Sequence, residues 1–97
     1  MSLPKGDLLN TVEGVTERIS FVITANDHGR HLKPGARRLR AAALADLHEV
    51  RARLWRELDL ATMTSPAGLS TLAFAASQAA ELDDRYVRFW RTEAGAR

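Results

Sequence analysis

Between Asp27 and Asp46 the chain carries no carboxylate, yet it places Arg30, Lys33, Arg37, Arg38 and Arg40 there, with His28 and His31 among them. Guanidinium forks grip phosphate with two prongs, and the start of a helix adds unpaired N–H donors and the positive end of its dipole. Anion binding is therefore the chemistry this stretch could perform, with nucleic-acid phosphates as one ligand. Five of the 14 Lys and Arg fall in the window, and the other 9 face all 12 Asp and Glu, so the positive excess is local. A solvated corner, or a contact with an acidic protein surface, would carry the same composition. Cations in a helix's first turn also oppose its dipole.

Other chemistry finds less support. His28 and His31 lie three apart beside Asp27, but a zinc site needs three or four placed ligands and His48 is the one further histidine, so no metal is expected. His48 itself falls on the polar side of a helix, a surface or interface position. No nucleophile elbow, phosphate-cradling glycine loop or His-Glu-x-x-His motif occurs, and cysteine is absent. Asp83 and Asp84 are adjacent carboxylates, with Arg88 four residues after Asp84 and Arg85 four after Glu81, the spacing of helix-surface ion pairs rather than of acid–base catalysis. We therefore expect no enzyme and no cofactor. Nor does any helix-turn-helix, ribonucleoprotein or zinc-finger pattern accompany the basic window.

Three amphipathic helices must position these groups. Leu8, Val12, Val15, Ile19 and Val22 recur at spacings of four and three and predict a helix over about 7–26, with a strand over Ile19 to Thr24 as the competing reading. Asn26 to Gly29 reads as a turn. Pro34 suits the first position of a second helix over about 34–60, whose apolar stripe is Leu39, Ala43, Leu47, Val50, Leu54 and Leu58, with Leu44 and Trp55 beside it. Ser65 and Pro66 read as the cap and first residue of a third helix over about 66–92. That helix carries two seams, one of Leu72, Ala75, Ala79, Leu82, Tyr86 and Phe89, the other of Leu69, Ala73, Ala76, Ala80, Val87 and Trp90. It can thus touch two neighbours.

The chain has 97 residues, 45% hydrophobic and 27% charged, which fits one folded helical domain over 1–97. No stretch reaches the roughly 18 to 20 apolar residues of a membrane span, and Met1 to Asp7 lacks the apolar run of a signal peptide, so a cytoplasmic location is expected. Short connections imply an all-α, up-down-up three-helix bundle, completed by oligomerisation or by a partner chain. Trp55, Phe74, Tyr86, Phe89 and Trp90 offer more apolar bulk than so small a bundle hides, which marks them as interface residues. This form is similar to that of small helical accessory subunits of bacterial and phage complexes, a likeness of architecture alone. The expected role is a non-enzymatic assembly subunit; the alternative is an accessory subunit that contacts nucleic-acid phosphates through residues 30–40.

Overall fold

The computed structural model describes residues 5–63 and 70–95, with side chains for 6–25, 27–59 and 75–95. The expected cap at Ser65 and Pro66 and the side chain of Phe74 lie outside the described residues. Three helices make up the described chain: α1 (Lys5–Gly29), α2 (Pro34–Met63) and α3 (Ser70–Glu93). None is long and apolar enough to cross a membrane.

The competing strand is absent, because Ile19 to Thr24 continues α1. The β-branched threonines of this helix find partners inside it: the Thr11, Thr16 and Thr24 hydroxyls donate to the carbonyls of Asp7, Val12 and Ser20, four residues back, at 2.7, 2.8 and 2.9 Å. Asp7 in the first turn matches the helix dipole. The helix closes in a left-handed turn, with φ of 54° at Asp27, 62° at His28 and 79° at Gly29. Only the glycine adopts that conformation without penalty; the two side-chain-bearing residues cost roughly 1 kcal/mol or more each.

The chain runs up, down and up. Arg40 reaches Val22 and Ile23, Arg51 reaches Thr16, and Leu58 meets Leu8, so α2 descends antiparallel to α1. Arg40 also lies over Trp90, His48 bonds Asp83, and Leu58 meets Ala76, so α3 rises antiparallel to α2. Helix α2 is the centre of the bundle. Among the described residues no Cα of α1 comes within 8 Å of one in α3. The outer helices therefore flank α2 and share with it the core cluster of Leu8, Leu58 and Ala76.

The buried apolar residues are Leu8, Val12 and Ile19 of α1; Ala41, Leu44, Ala45, Ala52 and Leu58 of α2; and Ala76 and Ala80 of α3. For α1 this is the expected stripe. For α2 it is a correction: Leu39 is 74% exposed, Ala43 and Val50 are exposed, and the buried face is centred on Leu44. Small residues decide the outcome, because Ala41, Ala45 and Ala52 let neighbouring backbones approach where the larger stripe would hold them apart. On α3 the seam of Ala76 and Ala80 is buried, while Leu82, Tyr86 and Phe89 of the other seam stay exposed.

Candidate interaction surfaces and a buried polar network

At the basic corner one of the five cations is committed to the fold. Arg40 donates from Nε to the Val22 carbonyl at 3.2 Å and from Nη2 to the Ile23 carbonyl at 2.8 Å, and its guanidinium sits 5.7 Å from the Trp90 ring centroid. It ties the end of α1 to α2 and α3. Gly29 makes room for it, since a Cβ there would stand 3.3 Å from the Arg40 Cζ and Nε. Arg37 donates to the Arg30 carbonyl at 3.2 Å, and Arg30 and His31 each lie 3.8 Å from the Asp27 carboxylate. These groups are largely exposed, so the two pairs are weak. The Lys33 and Arg38 side chains are exposed and make no hydrogen bond or ion pair among the described residues, the Lys33 carbonyl accepting from the Arg37 amide at 2.9 Å. A shallow cleft of about 300 Å³ between the end of α1 and the end of α3 is lined by His28, Arg30, Arg37, Arg40, Trp90 and Glu93, so one carboxylate enters the basic corner.

The sequence reading misplaced His48 and Asp83. Both are buried, 3% and 1% exposed, and they bond each other from Nδ1 to Oδ1 at 2.8 Å. Arg51 closes on the same carboxylate with two prongs, Nε to Oδ2 at 2.9 Å and Nη2 to Oδ1 at 2.7 Å, and extends Nη1 to the Thr16 hydroxyl at 3.1 Å. The network thus links all three helices. Burial alone would raise the Asp83 pKa, and this is the largest single effect on it. Hydrogen bonds from His48 and Arg51, together with the Arg51 and His48 charges, outweigh it and hold the carboxyl below its ordinary value. An ionised Asp83 can only accept, so the His48 Nδ1 carries the proton of that bond. The His48 Nε2 is buried with no partner among the described residues, and the ring stacks on Tyr86 with centroids 4.7 Å apart. The Thr16 hydroxyl accepts from Arg51 and donates to Val12, which leaves it engaged at both ends.

The expected surface pairs along α3 do not form. Asp84 pairs with Arg56 across to α2, and Arg91 binds Glu49 at 2.6 Å and Asp46 at 3.2 Å. Helix-to-helix partners outcompete those one turn away because the α2–α3 interface already brings them into reach. The Arg85 and Arg88 side chains are left exposed and unpaired among the described residues, while Glu81, also exposed, lies near enough for its charge to act on Arg56.

Of the five expected interface residues, Trp55 is half-buried against the core cluster of Leu8, Leu58 and Ala76, and Trp90 is half-buried with its ring edge-on to Phe89 at 4.9 Å. Tyr86 and Phe89 are exposed, Phe89 by 52%. A sequence signal for the buried network did exist: Asp83 falls in register with Ala76, Ala80, Val87 and Trp90, and His48 one turn after Leu44 and Ala45. Among the described residues no cluster of three or more His, Cys, Asp or Glu is placed to hold a metal ion. No protein-family model matches the chain, and neither a curated protein nor a solved structure matches it.

Proposed function

We propose that this chain is a non-enzymatic assembly subunit that docks through apolar helix faces its own fold leaves uncovered. One observation carries the reading. Phe21, Leu39, Val50, Leu82, Tyr86 and Phe89 all lie at the surface of a bundle whose outer helices, among the described residues, bring no Cα atoms within 8 Å of each other. Burying such side chains contributes roughly 1.5 to 3 kcal/mol each, and water leaves them exposed at that cost unless another chain covers them. The outer flank of α2 and the exposed seam of α3 are the docking faces, with arginine at their rims directing approach.

A second reading rests on Lys33 and Arg38, which are exposed and unpaired, and on Arg30 and Arg37 beside them: these would contact nucleic-acid phosphates. Light scattering of the purified chain at low and high salt, with absorbance recorded for bound nucleic acid, separates the two. The assembly reading expects an oligomer in both salts, free of nucleic acid. A monomer in both salts refutes it, and a monomer that releases nucleic acid as salt rises installs the second reading in its place.

A further inference from the structure

We infer that the cleft between the ends of α1 and α3 binds a phosphate group through Arg30, Arg37 and Arg40, a small-ligand site independent of the assembly reading above. Three guanidinium charges line it against the single carboxylate of Glu93, which makes no hydrogen bond or ion pair among the described residues. Arg30 has only the 3.8 Å approach to the exposed Asp27. The positive charge of the cleft is therefore not neutralised within the chain. Arg40 offers Nη1, since the Val22 and Ile23 carbonyls take its other donors, and Arg37 offers Nε and Nη1, since its Nη2 donates to the Arg30 carbonyl. These bonds hold both guanidiniums in place before a ligand arrives, which lowers the ordering cost of binding. They also remove a repulsion. Carbonyls near the end of a helix disfavour an anion, and here guanidiniums cover those of Val22, Ile23 and Arg30 while backbone amides cover those of Asp27 and Gly29.

Trp90 adds a separate observation. Its ring lines the same cleft with Arg40 beside it, and its Nε1–H is buried with no acceptor among the described residues. Buried donors ordinarily have a partner, and a ligand oxygen would provide one. The arrangement of donors selects the ligand. A carboxylate is planar, carries one charge and is satisfied by one fork. A phosphate dianion carries two charges and presents its oxygens in tetrahedral directions, which suits guanidiniums that arrive from the connection after α1 and from two positions on α2. Lys33 and Arg38, exposed and outside the lining, would speed the approach of an anion without touching it. A cleft of about 300 Å³ admits the phosphate and the few atoms attached to it.

Titrating the full chain with inorganic phosphate at constant ionic strength tests the site, read by nitrogen–proton NMR of the backbone amides, the Trp90 indole and the arginine Nε groups. Saturable shifts confined to the lining segments, 28–41 and 90–93, are expected. Arg37→Gln should weaken binding about tenfold through loss of one charged fork, and Glu93→Gln should tighten it. Changing Lys33 and Arg38 together to Gln removes two charges yet should weaken binding far less than Arg37→Gln alone. An equal or greater loss in that double variant, or shifts still linear at about 50 mM phosphate, well past a millimolar Kd, overturns the site. A short oligonucleotide with and without a terminal phosphate then identifies the source. Preference for the phosphorylated strand over both the bare strand and inorganic phosphate puts a strand end in the cleft, and a phosphorylated strand bound no more tightly than inorganic phosphate puts free phosphate there. Two strands bound equally, and both more tightly than inorganic phosphate, overturn the cleft in favour of internal phosphates on Lys33 and Arg38. Arg37 and Glu93 are exposed, so unchanged helicity by circular dichroism excludes unfolding as the cause. None of these readouts depends on the oligomeric state, so failure of the site leaves the assembly reading untouched.

Discussion

Removing the charge of Asp83 while keeping its shape, by Asp83→Asn, strands Arg51 and His48. The carboxylate accepts three hydrogen bonds, two from Arg51 and one from His48, at 2.7 to 2.9 Å. An amide offers one oxygen, and its NH2 group points a donor at a guanidinium that can only donate. Breaking a buried ion pair by deleting one partner costs about 3 to 5 kcal/mol. The Arg51 side chain is 17% exposed and can lean its head toward water, which places the expected loss near the lower figure, about 3 kcal/mol. Against a total of about 5 to 15 kcal/mol for a domain of this size, that is a large share. The melting temperature should fall by roughly 12 to 24 °C, followed by circular dichroism or calorimetry. Adding Arg51→Met to the same chain should cost far less than Arg51→Met alone, because the guanidinium has already lost its partner. A loss under about 1 kcal/mol with additive effects would refute the reasoning, since it would mean that water already solvates the network.

The acid limb of stability offers an independent check. Asp83 is held below its unfolded value of 3.8, so the folded state binds this proton less readily than the unfolded chain does. Its contribution is complete above the unfolded pKa, and it is lost as pH falls through that value and on through the folded one. Urea midpoints measured between neutrality and pH 2 should therefore drop more steeply below about pH 4 in the parent chain than in Asp83→Asn.

Leu44→Ala should destabilise by about 2 to 5 kcal/mol and Leu39→Ala by less than about 0.5 kcal/mol, because Leu44 is fully buried and Leu39 stands in water; equal losses in urea titrations would reinstate the expected stripe. Gly29→Ala should lower stability by about 1 to 2 kcal/mol, since it forces a side chain into a left-handed residue and against Arg40, and a neutral result in thermal melts would refute both the strain and the crowding. Replacing Lys33 and Arg38 together with Gln should leave stability within about 0.5 kcal/mol, whereas Arg40→Gln, which keeps bulk but loses the two carbonyl bonds, should cost about 1 to 3 kcal/mol. Equal effects in those two variants would deny Arg40 its structural role.

The helices of this fold were legible because periodicity and proline placement act locally: Pro34 opens α2 where expected, and the stripe of α1 is its buried stripe. The inner face of α2 was not, because hydrophobicity ranks Leu39 and Val50 above Ala41 and Ala45. Closeness of helix packing reverses that ranking, and it depends on the partner helix. His48 and Asp83 were hidden for a related reason. Each is polar and reads alone as a surface residue, and burial becomes tolerable only when Asp83 of α3 meets His48 and Arg51 of α2. The basic corner was legible as a cluster. What its sequence could not reveal is that Arg40 turns inward to the Val22 and Ile23 carbonyls while Lys33 and Arg38 stay in solvent.

The buried charges also answer a difficulty that the alanine-rich core creates. Ala41, Ala45 and Ala52 of α2 and Ala76 and Ala80 of α3 are half of the buried apolar residues, and surfaces this uniform resist sliding only weakly. Moving α3 along α2 by one turn would carry Ala76 into the place of Ala80 with almost the same shape and the same apolar area. The carboxylate of Asp83 forbids that slip, for after it no guanidinium or imidazole would meet the charge, and an isolated buried carboxylate costs several kcal/mol. Arg51 extends the constraint to α1 through Thr16, adding to the hold that Arg40 has on the Val22 and Ile23 carbonyls. Register in this bundle is therefore fixed by polar groups and closeness by alanine. Of the larger apolar residues, Leu8, Leu44 and Leu58 fill the core on either side of these polar groups, while Phe21, Leu39 and Phe89 stay exposed and hold neither register nor closeness.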